Sequence, residues 1–295
     1  MTSIINAINR RDGFFALACL IVLISTYEPF RYLLFFSHDR DYYSHILIIP
    51  VVCSFLIYLK RKPIFMDQSY SVRQGIPLIL VGIVVYFLGK NLEIRINDND
   101  YASIIALSAV MFINGAFILF YGLQAFKAAL LPLLFLIFMI PVPTYLMDRI
   151  IHFLQVGSTE CANLLFLATG LPFLREGFVF HLSSQSIEVA KQCSGIRSGL
   201  ALFITALLAG YLFLTTWWKK IILVICVIPI AMFKNGIRIV TLTLLGTYVD
   251  PRILGSSLHR EGGIPFFILA LLLLAPILYF LRKSEKKLDP VSSTE

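Results

Sequence analysis

Apolar residues run in long blocks separated by short polar breaks, and blocks of this length predict membrane-spanning helices. Eight fall near residues 13–33, 44–60, 75–90, 102–121, 128–146, 196–216, 221–247 and 264–281. The first block follows Arg10-Arg11 and lacks a small-residue cleavage site, and Glu28-Pro29-Phe30-Arg31 comes after it, so it is expected to stay as an anchor. One long segment, 147–195, interrupts the series. Within it, Asp148 to about Leu167 mixes Arg149, His152, Gln155, Glu160 and Asn163 with apolar positions, which suits a helix lying in or dipping into the membrane interface. After Gly170-Leu171-Pro172, Val179-Phe180-His181-Leu182 and Ile187-Glu188-Val189-Ala190 flank Ser183-Ser184-Gln185-Ser186 and predict a small β-hairpin that leads directly to Cys193. A short sheet edge beside a nucleophile suits an extended peptide, and a hairpin that only caps the bundle fits the pattern equally well. The expectation is therefore an all-α polytopic membrane protein of about eight transmembrane helices. It forms one integral membrane domain over 1–295, with a small helix and hairpin insert at 147–195.

Composition agrees with that class. Of 295 residues, 58% are hydrophobic and only 14% charged, and the mean hydropathy of +0.84 is too high for one soluble domain. The net charge of +8 would suit nucleic acid, but the basic residues cluster at the ends of apolar blocks, as topology signals do. No nucleic-acid partner is expected. Arg10-Arg11, Lys60-Arg61-Lys62, Lys127, Lys219-Lys220, Arg282-Lys283 and Lys286-Lys287 alternate onto one side, which the positive-inside rule makes cytoplasmic, with both termini there. Trp217-Trp218 beside Lys219-Lys220 reads as an interfacial anchor on that side. The 147–195 segment and the loop near 248–263 fall on the opposite, extracytoplasmic face of the cytoplasmic (inner) membrane.

The five cysteines, Cys19, Cys53, Cys161, Cys193 and Cys226, show no CxxC pair and no metal-ligand spacing. Only Cys161 and Cys193 are placed to meet, and nothing in the spacing argues for a disulfide. A lone cysteine at a membrane edge is most often a small buried hydrophobe. Cys193 differs in its setting, Lys191-Gln192-Cys193-Ser194-Gly195-Ile196-Arg197. Ser194-Gly195 permits a tight turn into a helix, and helix amides together with Arg197 would favour the nucleophilic thiolate.

Two further residues stand out. Arg238 lies about 27 Å along its helix from Lys220, near the far edge of a hydrocarbon core about 30 Å thick, which puts it close to the level of Cys193. Lys234, four residues earlier on the same helical face, competes for any role given to Arg238, and Asn235 is placed to hold a guanidinium. The block is overlong, so tilt or unwinding at Asn235-Gly236 is expected. His259 precedes the last block on the Cys193 side, but His38, His45, His152 and His181 also fall on or near that side. Topology does not choose among them.

Several motifs occur together in order. They are Tyr43-Ser44-His45 with Pro50, Pro141-Val142-Pro143, Arg175-Glu176-Gly177, Val189-Ala190-Lys191-Gln192-Cys193-Ser194-Gly195-Ile196-Arg197, Asn235-Gly236-Ile237-Arg238 and the later His259. This series resembles the exosortase/archaeosortase family of integral membrane transpeptidases over nearly the whole chain. A departure is Lys191-Gln192, where the family more often carries a small or acidic residue. The resemblance implies a catalytic Cys193, Arg238 and His259, with Arg197, Asn235 and Ser194 in support. It implies a cysteine transpeptidase without metal or organic cofactor, acting through a Cys thioester. The implied substrates are secreted proteins ending in a PEP-CTERM-like sorting signal, made of a short motif, a transmembrane helix and a basic tail. The acceptor, whether amine, lipid, sugar or water, is not implied. A transporter or exopolysaccharide-export component, or an assembly scaffold without thiol catalysis, would also account for the spans and intramembrane charge. Against a transporter, the polar residues gather at one interface and no internal repeat is evident.

Overall fold

The structure is a computed structural model that describes residues 10–31, 35, 43, 45–66, 68–182, 185–250, 252 and 263–286. The chain divides into two compact units, Met1–Met147 and Asp148–Glu295.

The first unit contains α1 (Arg10–Arg31), α2 (Ile49–Leu59), the short α3 (Arg61–Ile64), α4 (Val72–Leu92), α5 (Asp98–Ala128) and α6 (Leu130–Leu134). The unit is built around α5. Over half of its apolar window is buried, against 17% for α1 and α4, whose outward faces are left to lipid. Gly75, Gly82 and Gly89 form one face of α4, and they let its backbone close on Leu119, Phe112 and Ile104 of α5.

Two expected spans come out short. The 44–60 block holds only the 11 residues of α2 as helix. The 128–146 block breaks into α6, a 3-10 turn at Phe135–Met139 and extended chain from Ile140. Pro141 and Pro143 cause the break, because each lacks an amide hydrogen and pushes the preceding residue toward extended backbone. The freed main-chain groups are taken up by the first turns of α5. Ser103 Oγ donates to Pro141 O at 2.8 Å, Asn99 Nδ2 donates to Val142 O at 2.9 Å, and the Asp100 carboxylate accepts from Thr144 N at 2.6 Å. Tyr43 donates its hydroxyl to Asn99 Oδ1. Two of the motifs that stood out in the sequence, Tyr43 and Pro141-Val142-Pro143, thus converge on Asn99.

The second unit takes up most of α7 (Thr144–Thr169), then β1 (Phe173–Glu176), β2 (Val179–Leu182), β3 (Ser186–Glu188), a 3-10 turn (Lys191–Cys193), α8 (Ile196–Phe213), α9 (Trp217–Ile225), α10 (Val227–Tyr248) and α11 (Gly263–Lys286). The expected hairpin is present as β2–β3, and β1 adds a third antiparallel strand in the order β1-β2-β3. One face of the sheet is aromatic. Phe180 is fully buried between Phe166 of α7 and Phe173, in a cluster that Ala162, Val189, Ile239 and Val240 complete. A second cluster, including Leu202, Ala206, Leu223, Val227, Ala270 and Leu274, joins α8 through α11.

Among the described residues, seven helices are long and apolar enough to cross a membrane, and α7 is one of them. Several of its polar residues are committed to the protein. Gln155, Ser158 and Thr159 are buried, and Glu160 pairs with Arg175 of β1 at 2.6 Å. The α9–α10 stretch breaks at Cys226, not at Asn235-Gly236. Pro229 explains the position, since it has no amide hydrogen to give the Ile225 carbonyl one turn back. All five cysteines are free thiols.

Candidate active site

Cys193 closes the 3-10 turn between β3 and α8, and its amide donates to Ala190 O at 2.8 Å. It lies ahead of α8, because Gly195 is the N-cap with φ 78°. That left-handed conformation favours glycine. A side chain there would also approach Asn235 to 3.0 Å. The cysteine is thus presented on a sharp bend at the helix entrance, in keeping with the tight turn that Ser194-Gly195 suggests.

The bend is gripped by α10. Asn235 is fully buried, and its Nδ2 donates to the Cys193 carbonyl at 2.7 Å. On the adjoining position Lys234, 1% exposed, donates its ammonium to Ser198 Oγ. Ser198 Oγ in turn donates to Gly195 O at 3.2 Å. Gly236 brings the α10 backbone against α7, since a Cβ there would lie 2.7 Å from the Cys161 Cβ. Asn235-Gly236 therefore serves as a contact face toward both α7 and the Cys193 bend.

Cys193, Asn235 and Arg238 line one cleft with Ile187, Glu188 and Val189 of the sheet and Ile239, Leu242 and Thr243 of α10. Its volume is about 30 Å³. The thiol is half-buried and shares the cleft with Arg238. Burial disfavours a thiolate, and a cation in the same cleft favours it. Lys234 does not line the cleft.

The supporting residues differ in placement. Ser194 is buried, and its hydroxyl has no hydrogen-bond partner among the described residues. Arg197 is on the exposed side of the first turn of α8, away from the cleft lining. His259 lies outside the described residues. Sequence reasoning missed two positions that hold the sheet in place. Gln155 of α7 donates to Val189 O at 2.6 Å, and Gln185 donates to Thr247 Oγ1 at 2.6 Å. The sequence shows both glutamines as polar positions but not this role, because their partners are remote along the chain.

A family model described as transmembrane exosortase matches residues 37–276. The chain belongs to the transmembrane exosortase family. The match runs from the Tyr43 motif through the sheet, the Cys193 bend, α10 and most of α11. Exosortases are membrane transpeptidases of protein sorting, generally cysteine enzymes, and act on secreted proteins that carry C-terminal signals. Searches among curated proteins and among solved structures return no match.

Proposed function

We propose that this exosortase-family chain is a cysteine transpeptidase of the cytoplasmic membrane, with Cys193 as nucleophile, Arg238 as oxyanion and thiolate partner, and His259 as the proton-transfer group. The observation that carries the proposal is the cleft that Cys193, on the bend just before α8, shares with Arg238. The role of His259 rests on the family pattern.

The Cys193 thiolate attacks the scissile carbonyl carbon and forms a C–S bond, and the carbonyl π electrons move to oxygen. Arg238 stabilises the resulting oxyanion. Collapse breaks the C–N bond, and His259 supplies the proton that the leaving amine requires. The product is a thioester on Cys193 and a released tail that carries the transmembrane helix. An amine or hydroxyl acceptor, deprotonated by His259, then attacks the thioester and restores the thiolate. Water in that position would give simple proteolysis.

The cleft would face the extracytoplasmic side, with both termini in the cytoplasm and the substrate's helix entering from lipid. The substrates are secreted proteins with a PEP-CTERM-like motif, a transmembrane helix and a basic tail. Co-expression of such a protein with wild type, Cys193→Ala and His259→Ala tests the assignment. Wild type should release the tail and both variants should not. Equal processing by properly inserted Cys193→Ala would overturn it, and a tail-free product whose mass includes an added group would identify the acceptor.

A further inference from the structure

The antiparallel register leaves one edge of the sheet with main-chain groups turned away from its neighbour. Leu182 N donates to Gln185 O and Val189 N donates to Phe178 O, both at 2.9 Å, and Phe180 is opposite Ile187. Residues 185, 187 and 189 therefore bond toward β2. The intervening Ser186 and Glu188 direct their amide hydrogens and carbonyls to the outer edge of β3. Both residues are exposed.

That edge runs into the cleft. Ile187, Glu188 and Val189 line it beside Cys193, Asn235 and Arg238. Two features suit the cleft to peptide main chain. It is small, about 30 Å³, and lies directly against strand β3. Asn235, which lines the cleft, also has its Oδ1 buried with no hydrogen-bond partner among the described residues, while its Nδ2 is committed to Cys193 O. A buried unsatisfied oxygen gains from an incoming N–H donor.

We infer that the substrate segment ahead of the transmembrane helix binds as an added β-strand along the outer edge of β3, with its scissile peptide delivered into the Cys193–Arg238 cleft. This inference rests on the catalytic proposal above, and it names how that site holds its substrate. In strand addition, main-chain hydrogen bonds supply affinity and alternate side chains face the same surface. The segment must therefore be extended and free of proline where its amide hydrogens meet Ser186 and Glu188. Its side chains must be recognised with a period of two.

Disulfide trapping tests this without requiring turnover. Glu188→Cys is introduced into a Cys193→Ala background, and single cysteines are placed at successive positions of the segment preceding the membrane helix. The probe is a co-expressed reporter protein that ends in a sorting signal encoded by the same organism. After mild oxidation, crosslinking should rise and fall with a two-residue period, because cross-strand Cβ atoms on one face approach to about 5 Å. Cys193→Ala without the Glu188→Cys change should give none. A periodic pattern with no cleavage by the wild-type protein would uphold strand addition and refute the catalytic proposal. Cleavage by wild type with crosslinks of no period, or with none, would overturn strand addition alone.

Discussion

The Asn235 side-chain amide donates to the main-chain carbonyl of Cys193 at 2.7 Å. This contact fixes the bend that presents the thiol, and it comes from a residue three positions before Arg238, so one turn of α10 both holds the cysteine and faces it with a charge. Asn235→Ala leaves a buried carbonyl without its donor, which costs about 1–3 kcal/mol. Processing should fall about five- to 150-fold if that cost appears in the positioning of the thiol. The check is tail release together with the rate of Cys193 alkylation, which should also drop. Unchanged values for both would contradict a positioning role.

Arg238→Ala should lower tail release about 100- to 1,000-fold, the range for loss of an oxyanion donor. It should also slow alkylation of Cys193 by a small maleimide, because the thiolate loses its counterion. Arg238→Lys restores the charge without the planar fork. It should recover alkylation more fully than tail release, and a split between the two readouts separates thiolate stabilisation from oxyanion stabilisation.

Lys234→Met should leave processing and melting temperature near wild type. The ammonium is buried against Ser198 Oγ and does not line the cleft, Ser198 keeps its own bond to Gly195 O without it, and an apolar side chain of similar length avoids the desolvation cost of a buried charge. Loss of function in a well-accumulated Lys234→Met protein would bring back the transport alternative, in which intramembrane charge itself is essential.

Gly236→Ala should destabilise the detergent-solubilised protein by about 1–3 kcal/mol, the usual cost of overpacking. The added methyl would meet the Cys161 Cβ at 2.7 Å, with the Ala162 amide at 3.0 Å. The measurement is thermal unfolding in one detergent. A melting temperature equal to wild type would show that α7 and α10 are not held as closely as described.

Apolar block length made α1, α4, α5, α8, α10 and α11 legible, because a lipid-facing helix must satisfy its backbone internally and cover itself with apolar side chains. Depth counting likewise put Arg238 near Cys193. The method failed where proline or tertiary partners decide. Pro141 and Pro143 end an apolar block that hydropathy alone carries through, and the receptor groups Asn99, Asp100 and Ser103 are about forty positions away. The α7 sequence suggests an interfacial helix because Arg149, His152, Gln155, Glu160 and Asn163 are polar, yet the contacts of Gln155 with Val189 and of Glu160 with Arg175 exist only after folding. The first strand, Phe173–Glu176, is too short to announce itself without its partner β2.

The most direct measurement is the mass of the secreted substrate and of its tail after co-expression with wild type or with Cys193→Ala of equal membrane abundance. The account predicts a tail released only by wild type, at one fixed bond ahead of the transmembrane helix. Release of the same tail at the same bond by Cys193→Ala would contradict it.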